Sequence, residues 1–274
     1  MSVKVAAIQL QSKDSLPDNL AHAAALLAQA AKVGVKLAVL PENFAMFAAG
    51  AQLATAKQLP EIQTWLAEQA RQHQLWLVAG SVPCAQRPNG EPVPNNKVRS
   101  SCFVYNDLGE QVGRYDKIHL FDAAVADTQA HYQESATFEA GDDVVVIHTP
   151  FANIGLSICY DLRFPELFRV LRTQGADIIV VPAAFTATTG KAHWQILLQA
   201  RAIENQCFVI GAGQSGQHSS SRTTWGHSQL INAWGEIVAE QQQDGEGIVI
   251  ADYDNQQQQH IRQQMPLLSH RRLC

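Results

Sequence analysis

Val3-Lys4-Val5-Ala6-Ala7-Ile8-Gln9-Leu10 opens a unit that closes on Lys36-Leu37-Ala38-Val39-Leu40-Pro41, and the stretch between them decides the fold. Both ends are short runs rich in strand formers. Residues 17–33 carry Leu20, Ala23, Ala24, Leu27 and Ala31 at helical spacing, and Gly34 stops the pattern. Strand, helix and strand in this order imply parallel pairing with the helix laid over the sheet. The order recurs as a helix over 59–74 and a strand over 75–81, so the first third reads as βαβ units.

Working outward, residues 83–96 hold four prolines and read as a surface loop, and 98–115 read as a hairpin turning at Asn106-Asp107-Leu108-Gly109. Apolar periodicity then fades over 116–143. A polar stretch of that length inside a compact chain is usually functional or disordered, which makes it the place to look for a site. Order returns with strands over 144–148 and 154–158, a helix over 165–173, a strand over 177–181, a helix over 193–204 and a buried strand over 207–212. A polar loop over 215–224, a second hairpin over 229–239, a last strand over 248–252 and an exposed Gln-rich helix over 255–264 complete the chain. Asn106-Asp107-Leu108-Gly109-Glu110 and Asn232-Ala233-Trp234-Gly235-Glu236 share turn chemistry, as expected if the two halves contribute similar mixed-sheet layers.

The chain has 274 residues, enough for one large domain or two small ones. No linker divides it, so residues 1–274 are read as a single domain. Its 46% hydrophobic content excludes disorder, and a formal net charge of -5 argues against nucleic acid or an anionic membrane as the main partner. A charged fraction of 16% suggests surface buried against another subunit. The cysteines, Cys84, Cys102, Cys159, Cys207 and Cys274, are odd in number and form no C-x-x-C pair, so they read as free thiols in a reducing compartment. With no signal-like start and no apolar run long enough to span a bilayer, the expected location is cytoplasmic.

Several familiar chemistries are unsupported. Gly211-Ala212-Gly213-Gln214-Ser215-Gly216 fits a dinucleotide string, but Gln-His-Ser-Ser-Ser follows it rather than a helix, so it reads as a strand exit. There is no G-x-S-x-G and no H-E-x-x-H, and no metal or cofactor is expected.

Three features are different. Cys159 stands at the end of a strand just before a helix, where the helix dipole favours a thiolate. Glu42, in Leu40-Pro41-Glu42-Asn43-Phe44, leaves an apolar strand at the sheet edge where ligands usually bind. Lys117, in Tyr115-Asp116-Lys117-Ile118-His119-Leu120-Phe121, follows a hairpin strand into the irregular stretch. Each has a bland alternative: a small buried hydrophobe, a helix-start acid, a solvated lysine.

Together they match a family. Leu40-Pro41-Glu42, Asp116-Lys117-Ile118-His119-Leu120-Phe121 and Cys159-Tyr160-Asp161-Leu162-Arg163-Phe164-Pro165-Glu166 resemble, in order, the three signatures of the carbon-nitrogen hydrolase (nitrilase) superfamily. The resemblance runs from Val3 to the Trp234-Gly235 hairpin. It implies an α/β fold, a four-layer αββα sandwich of two mixed sheets covered by helices, assembled as a homodimer or higher homo-oligomer. It also implies that Glu42 is the general base, Cys159 the nucleophile, and Lys117 the oxyanion cation acting with the Tyr160 N–H. Glu134 matches the family's second glutamate. Residues 185–194 and 200–207 resemble the branch that contains deaminated glutathione amidase and ω-amidase, both acting on γ-amides of a 2-oxoglutarate skeleton. In that reading Arg163 clamps the substrate carboxylate and Phe185 and Thr189 line the acyl pocket, Arg163 otherwise pairing with Glu166 or Asp161. The expected substrate is a small amide, deaminated glutathione first, 2-oxoglutaramate or an N-carbamoyl amine as alternatives, and a non-catalytic interaction protein as a distant one. Glu42→Gln and Lys117→Met are expected to abolish turnover and leave the fold intact.

Overall fold

The computed structural model describes residues 2–127 and 129–273, so Met1, Thr128 and Cys274 lie outside the described residues. Strand alternation explains the layers, because successive side chains of a strand face opposite ways. In the first strand, Ser2–Gln9, Val5 and Ala7 join one buried cluster while Ala6 and Ile8 join another. The Ala6 side packs under the helices Leu16–Lys32 and Leu59–His73 through Leu20, Leu27, Ile62 and Leu66. The Val5 side meets Ile154, Leu156, Ile178 and Val180 of a second sheet. In the strand Ile178–Ala183, Ile179 and Val181 turn the other way, onto Leu167, Phe168, Trp194 and Leu198 of the helices Pro165–Thr173 and Ala187–Asn205. Two sheets therefore share an apolar interface, and helices cover both outer faces.

The first sheet has seven strands, in the order Gly247–Asp254, Ser2–Gln9, Leu37–Val39, Trp76–Val78, Arg99–Tyr105 and Val82–Cys84, with Gln111–Asp116 also paired to Arg99–Tyr105. Its Ser2–Gln9, Leu37–Val39 and Trp76–Val78 strands are parallel, as the βαβ pattern predicts. The second sheet has six, in the order Ile237–Glu240, Gln229–Ile231, Phe208–Gly213, Ile178–Ala183, Asn153–Leu156 and Val146–His148. The echoed turns are built alike. Asn106 Oδ1 accepts the N–H groups of Leu108 and Glu110, and Asn232 Oδ1 those of Trp234 and Glu236.

Four readings change. The proline-rich 83–96 stretch starts inside the edge strand Val82–Cys84, where a proline is tolerated. The 215–224 stretch is a hairpin of Ser215–Gln217 with Thr223–Trp225, which the Gly211–Gly216 string enters directly from its strand. The helix expected from residue 193 starts at Ala187, capped by the Thr186 side chain on the Thr189 N–H at 3.2 Å, its start hidden by β-branched Thr188 and Thr189 and by Gly190. The Gln-rich helix Asn255–Gln264 buries one face, with Gln258 and Ile261 inside and Arg262 Nη1 2.7 Å from Asp177. Among the described residues no helix is long and apolar enough to cross a membrane.

Candidate active site

Strands that end together place the site. Glu42 follows Leu37–Val39, Lys117 follows Gln111–Asp116, Cys159 follows Asn153–Leu156 and Ala184 follows Ile178–Ala183. Two of these exits belong to each sheet, and all four residues line one cavity of about 350 Å³. Glu134 comes from a short 3-10 turn, Glu134–Ala136, after the small strand pair Asp122–Ala124 and His131–Gln133 in the stretch read as irregular.

Lys117 is buried, and its Nζ lies 2.9 Å from Glu42 Oε1 and 2.9 Å from both carboxylate oxygens of Glu134. Burial disfavours its charge, but Glu134 and Glu42 outweigh that and hold it firmly as a cation. Removing Lys117 therefore leaves two carboxylates facing each other out of water, so its substitution bears on stability as well as chemistry. The remaining Glu42 oxygen accepts the Ala184 N–H at 2.9 Å. Glu134 Oε2 takes the Phe121 N–H at 2.6 Å, and burial raises the Glu134 carboxyl against the pull of Lys117.

The Cys159 backbone has φ +49°, a left-handed conformation unusual outside glycine. This single residue turns the strand exit sharply into a 3-10 turn, Cys159–Arg163, and the α-helix begins only at Pro165. The expected activation by that helix is replaced by side chains. Burial, then Glu42, push the thiol well above its ordinary value, while Lys117 pulls it back. Burial and the Glu42 carboxylate together thus favour the thiol over the thiolate at this position. The Tyr160 N–H stands in the first turn of this 3-10 segment, one residue after the sulfur-bearing position. Cys84, Cys102 and Cys207 are buried free thiols away from the cavity lining, and Cys207 is pushed up to about 11 by burial.

Asp161, fully buried, is a fastening that the sequence reading missed. Its Oδ2 accepts Tyr115 Oη–H at 2.7 Å and the Ile158 N–H at 2.8 Å, and its Oδ1 accepts the His119 N–H at 3.0 Å and lies 2.7 Å from His119 Nδ1. One carboxylate thereby pins the turn that carries Cys159 to the segment that carries Lys117. The signal was present, since Asp161 and His119 fall inside the quoted motifs.

Tyr160, Arg163, Phe185 and Thr189 all line the cavity. Arg163 forms no ion pair with Glu166 or Asp161; its Nη1 lies 3.1 Å from His193 Nδ1, and its guanidinium sits 5.2 Å from the Phe185 ring centre. Phe47, Tyr132 and Arg222, also in the lining, carried no sequence signal: Phe47 and Arg222 stand in loops and Tyr132 in the short strand His131–Gln133, all in stretches without periodicity. Among the described residues no group of three His, Cys, Asp or Glu is placed to hold a metal ion.

Comparison with known proteins agrees with this architecture. The model of the carbon-nitrogen hydrolase family matches residues 4–263. Deaminated glutathione amidase of Yersinia enterocolitica is 40% identical over 274 residues, covering 99% of this chain and 93% of that protein. Omega-amidase NIT2 of Homo sapiens is 36% identical over 273 residues, covering 99% and 95%. The crystal structure of Saccharomyces cerevisiae Nit3, a member of branch 10 of the nitrilase superfamily, superposes with a TM-score of 0.87 at 30% identity, covering 99% and 97%. The C. elegans NitFhit protein superposes with a TM-score of 0.90 at 32% identity, and there this chain spans only 65% of the longer protein. The chain belongs to the carbon-nitrogen hydrolase family and has the layered α/β sandwich of its structural neighbours.

Proposed function

We propose that this carbon-nitrogen hydrolase cleaves the γ-amide bond of deaminated glutathione, releasing 2-oxoglutarate and cysteinylglycine through a thioester on Cys159. The observation that carries the chemistry is Lys117 Nζ held 2.9 Å from both Glu42 and Glu134 at the cavity into which Cys159 opens. Glu42 takes the Sγ proton as sulfur attacks the amide carbon, because a thiol held protonated must lose its proton in the attacking step. Lys117 Nζ and the Tyr160 N–H receive the oxyanion, a donor of this kind typically contributing about 3 kcal/mol. Collapse expels the amine, which takes the proton from Glu42. Water then attacks the thioester while Glu42 accepts its proton, and the second collapse returns the thiol.

Glu134 positions Lys117. At the acyl end Arg163 pairs with the substrate carboxylate, with Phe185 and Thr189 beside it. The Yersinia relative supports deaminated glutathione as substrate, and the human relative supports 2-oxoglutaramate, which has the same acyl half, as the alternative. The whole chain acts as one domain, in the cytoplasm, as a homodimer joined over the Pro165–Thr173 and Ala187–Asn205 helices. Val170, Ile196, Ile203 and Trp234 are exposed on or beside these helices, which supports that contact.

The test compares kcat/KM on deaminated glutathione and on 2-oxoglutaramate, where an equal or reversed preference overturns the substrate assignment. Mass spectrometry of quenched reactions should find the 2-oxoglutaryl adduct on Cys159, and full activity of Cys159→Ala would sink the thioester route.

A further inference from the structure

Five buried side-chain polar atoms lack a hydrogen-bond partner among the described residues: Gln69 Oε1, Asn205 Oδ1, Arg222 Nη1, Gln229 Oε1 and Gln258 Oε1. Of these residues only Arg222 lines the cavity, and only its atom belongs to a charged group. A buried donor without an acceptor is costly, more so when it carries charge, and so marks a place where a ligand supplies what the chain omits. The guanidinium is held in place rather than loose. Its Nη2 donates to the Ala184 carbonyl at 2.8 Å, and it lies 4.8 Å from the Tyr132 ring centre and 5.6 Å from that of Phe47. No carboxylate among the described residues pairs with it.

Position relates this cation to the reaction. Ala184 gives its N–H to Glu42 Oε2 and its carbonyl to Arg222, so Arg222 is one residue removed from the base. Arg163 instead lies by Tyr160 and Phe185 and shares no ring or hydrogen-bond partner with Arg222. Glu42 hands its proton to the departing nitrogen, so the amine half of the substrate occupies the side of the cavity on which Glu42 and Arg222 stand.

We propose that Arg222 binds a free carboxylate on the leaving amine, so that the site selects amides carrying an anion on both sides of the scissile bond, one toward Arg163 and one toward Arg222. This deepens, and rests on, the assignment of a 2-oxoglutaryl acyl half. It favours a leaving group that ends in a carboxylate, such as a short peptide, over ammonia.

The test uses two 2-oxoglutaryl amides that differ in one group, the γ-amide of cysteinylglycine and that of cysteinylglycinamide, whose terminal carboxylate is masked. The wild-type enzyme is expected to prefer the free acid by about tenfold or more in kcat/KM, as a charge-assisted pair predicts. In Arg222→Met that ratio falls to near one, and Arg222→Lys keeps part of it. A wild-type ratio near one overturns the proposal whether or not any variant folds, and so does a ratio that persists in Arg222→Met; either leaves the acyl-half assignment standing. Failure of the wild type to hydrolyse both amides overturns the acyl-half assignment and this proposal with it.

Discussion

The floor of the cavity and its rim are built on opposite plans. On the floor, Lys117, Glu42 and Glu134, together with Asp161 just outside the lining, have their charges met by partners at 2.6–3.0 Å. At the rim, Arg222 keeps an unmet donor, and its neighbours are the aromatic rings of Phe47, on a loop, and Tyr132, on the short strand His131–Gln133. The difference teaches where each job resides: chemistry needs groups already oriented for the transition state, while recognition needs groups that wait for the substrate to complete them.

The hardest blow to the floor is Lys117→Met. Loss of the proposed oxyanion cation should reduce kcat at least about 100-fold, and two uncompensated buried carboxylates should lower stability by about 3–5 kcal/mol in urea unfolding. Glu42→Gln should abolish turnover to a similar degree with a much smaller stability change, since Lys117 keeps Glu134. Equal stability losses in the two variants would show that the floor is not a charge-balanced unit.

Next comes Asp161→Asn. It trades an acceptor-only carboxylate for an amide and unfastens the Cys159 turn from the Lys117 segment, with an expected cost of about 2 kcal/mol. Its kcat should fall while KM holds; a change in KM alone would assign Asp161 to recognition.

A rim perturbation should read differently. Gly190, on the Ala187–Asn205 helix, leaves no room for a methyl group, because a Cβ there would come within 2.2 Å of Trp225 Cβ. Gly190→Ala should push on the hairpin that carries Arg222, costing about 1–3 kcal/mol and raising KM more than it lowers kcat. The reverse pattern would erase the distinction between rim and floor.

The smallest expected effect concerns pH. His218, beside the Phe47 ring, is lowered to about 4, chiefly by burial. Its folded value lies below its ordinary 6.5, so the unfolded chain binds more protons between these values and stability is lost as pH falls from 6.5 toward 4. His218→Gln should flatten that limb by on the order of 1 kcal/mol at pH 5 in denaturant titrations.

The same contrast explains what the sequence disclosed. Glu42, Lys117 and Cys159 follow regular strands, so periodicity locates them and a short motif surrounds each. The four layers were expected from the family resemblance, and the unbroken apolar run Val5-Ala6-Ala7-Ile8 fits them because both faces of that strand are buried. Arg222 sits in a serine-rich turn with no pattern at all, and its partner is the carbonyl of Ala184, which no side-chain chemistry announces. The start of the Ala187–Asn205 helix escaped notice because its local propensity is weak, and the Thr186 cap with the tertiary Trp225 contact at Gly190 overrides it.

Two strand exits from each sheet make the site a product of long-range assembly. Lys117 reaches Glu42 across 75 positions of sequence, and Ala184 reaches it across 142. No fragment drawn from one half of the chain contains the proposed nucleophile, Cys159, together with its proposed base, Glu42. Activity therefore reports on docking of the two sheets, and its loss under limited proteolysis or mild denaturant should coincide with global unfolding rather than precede it.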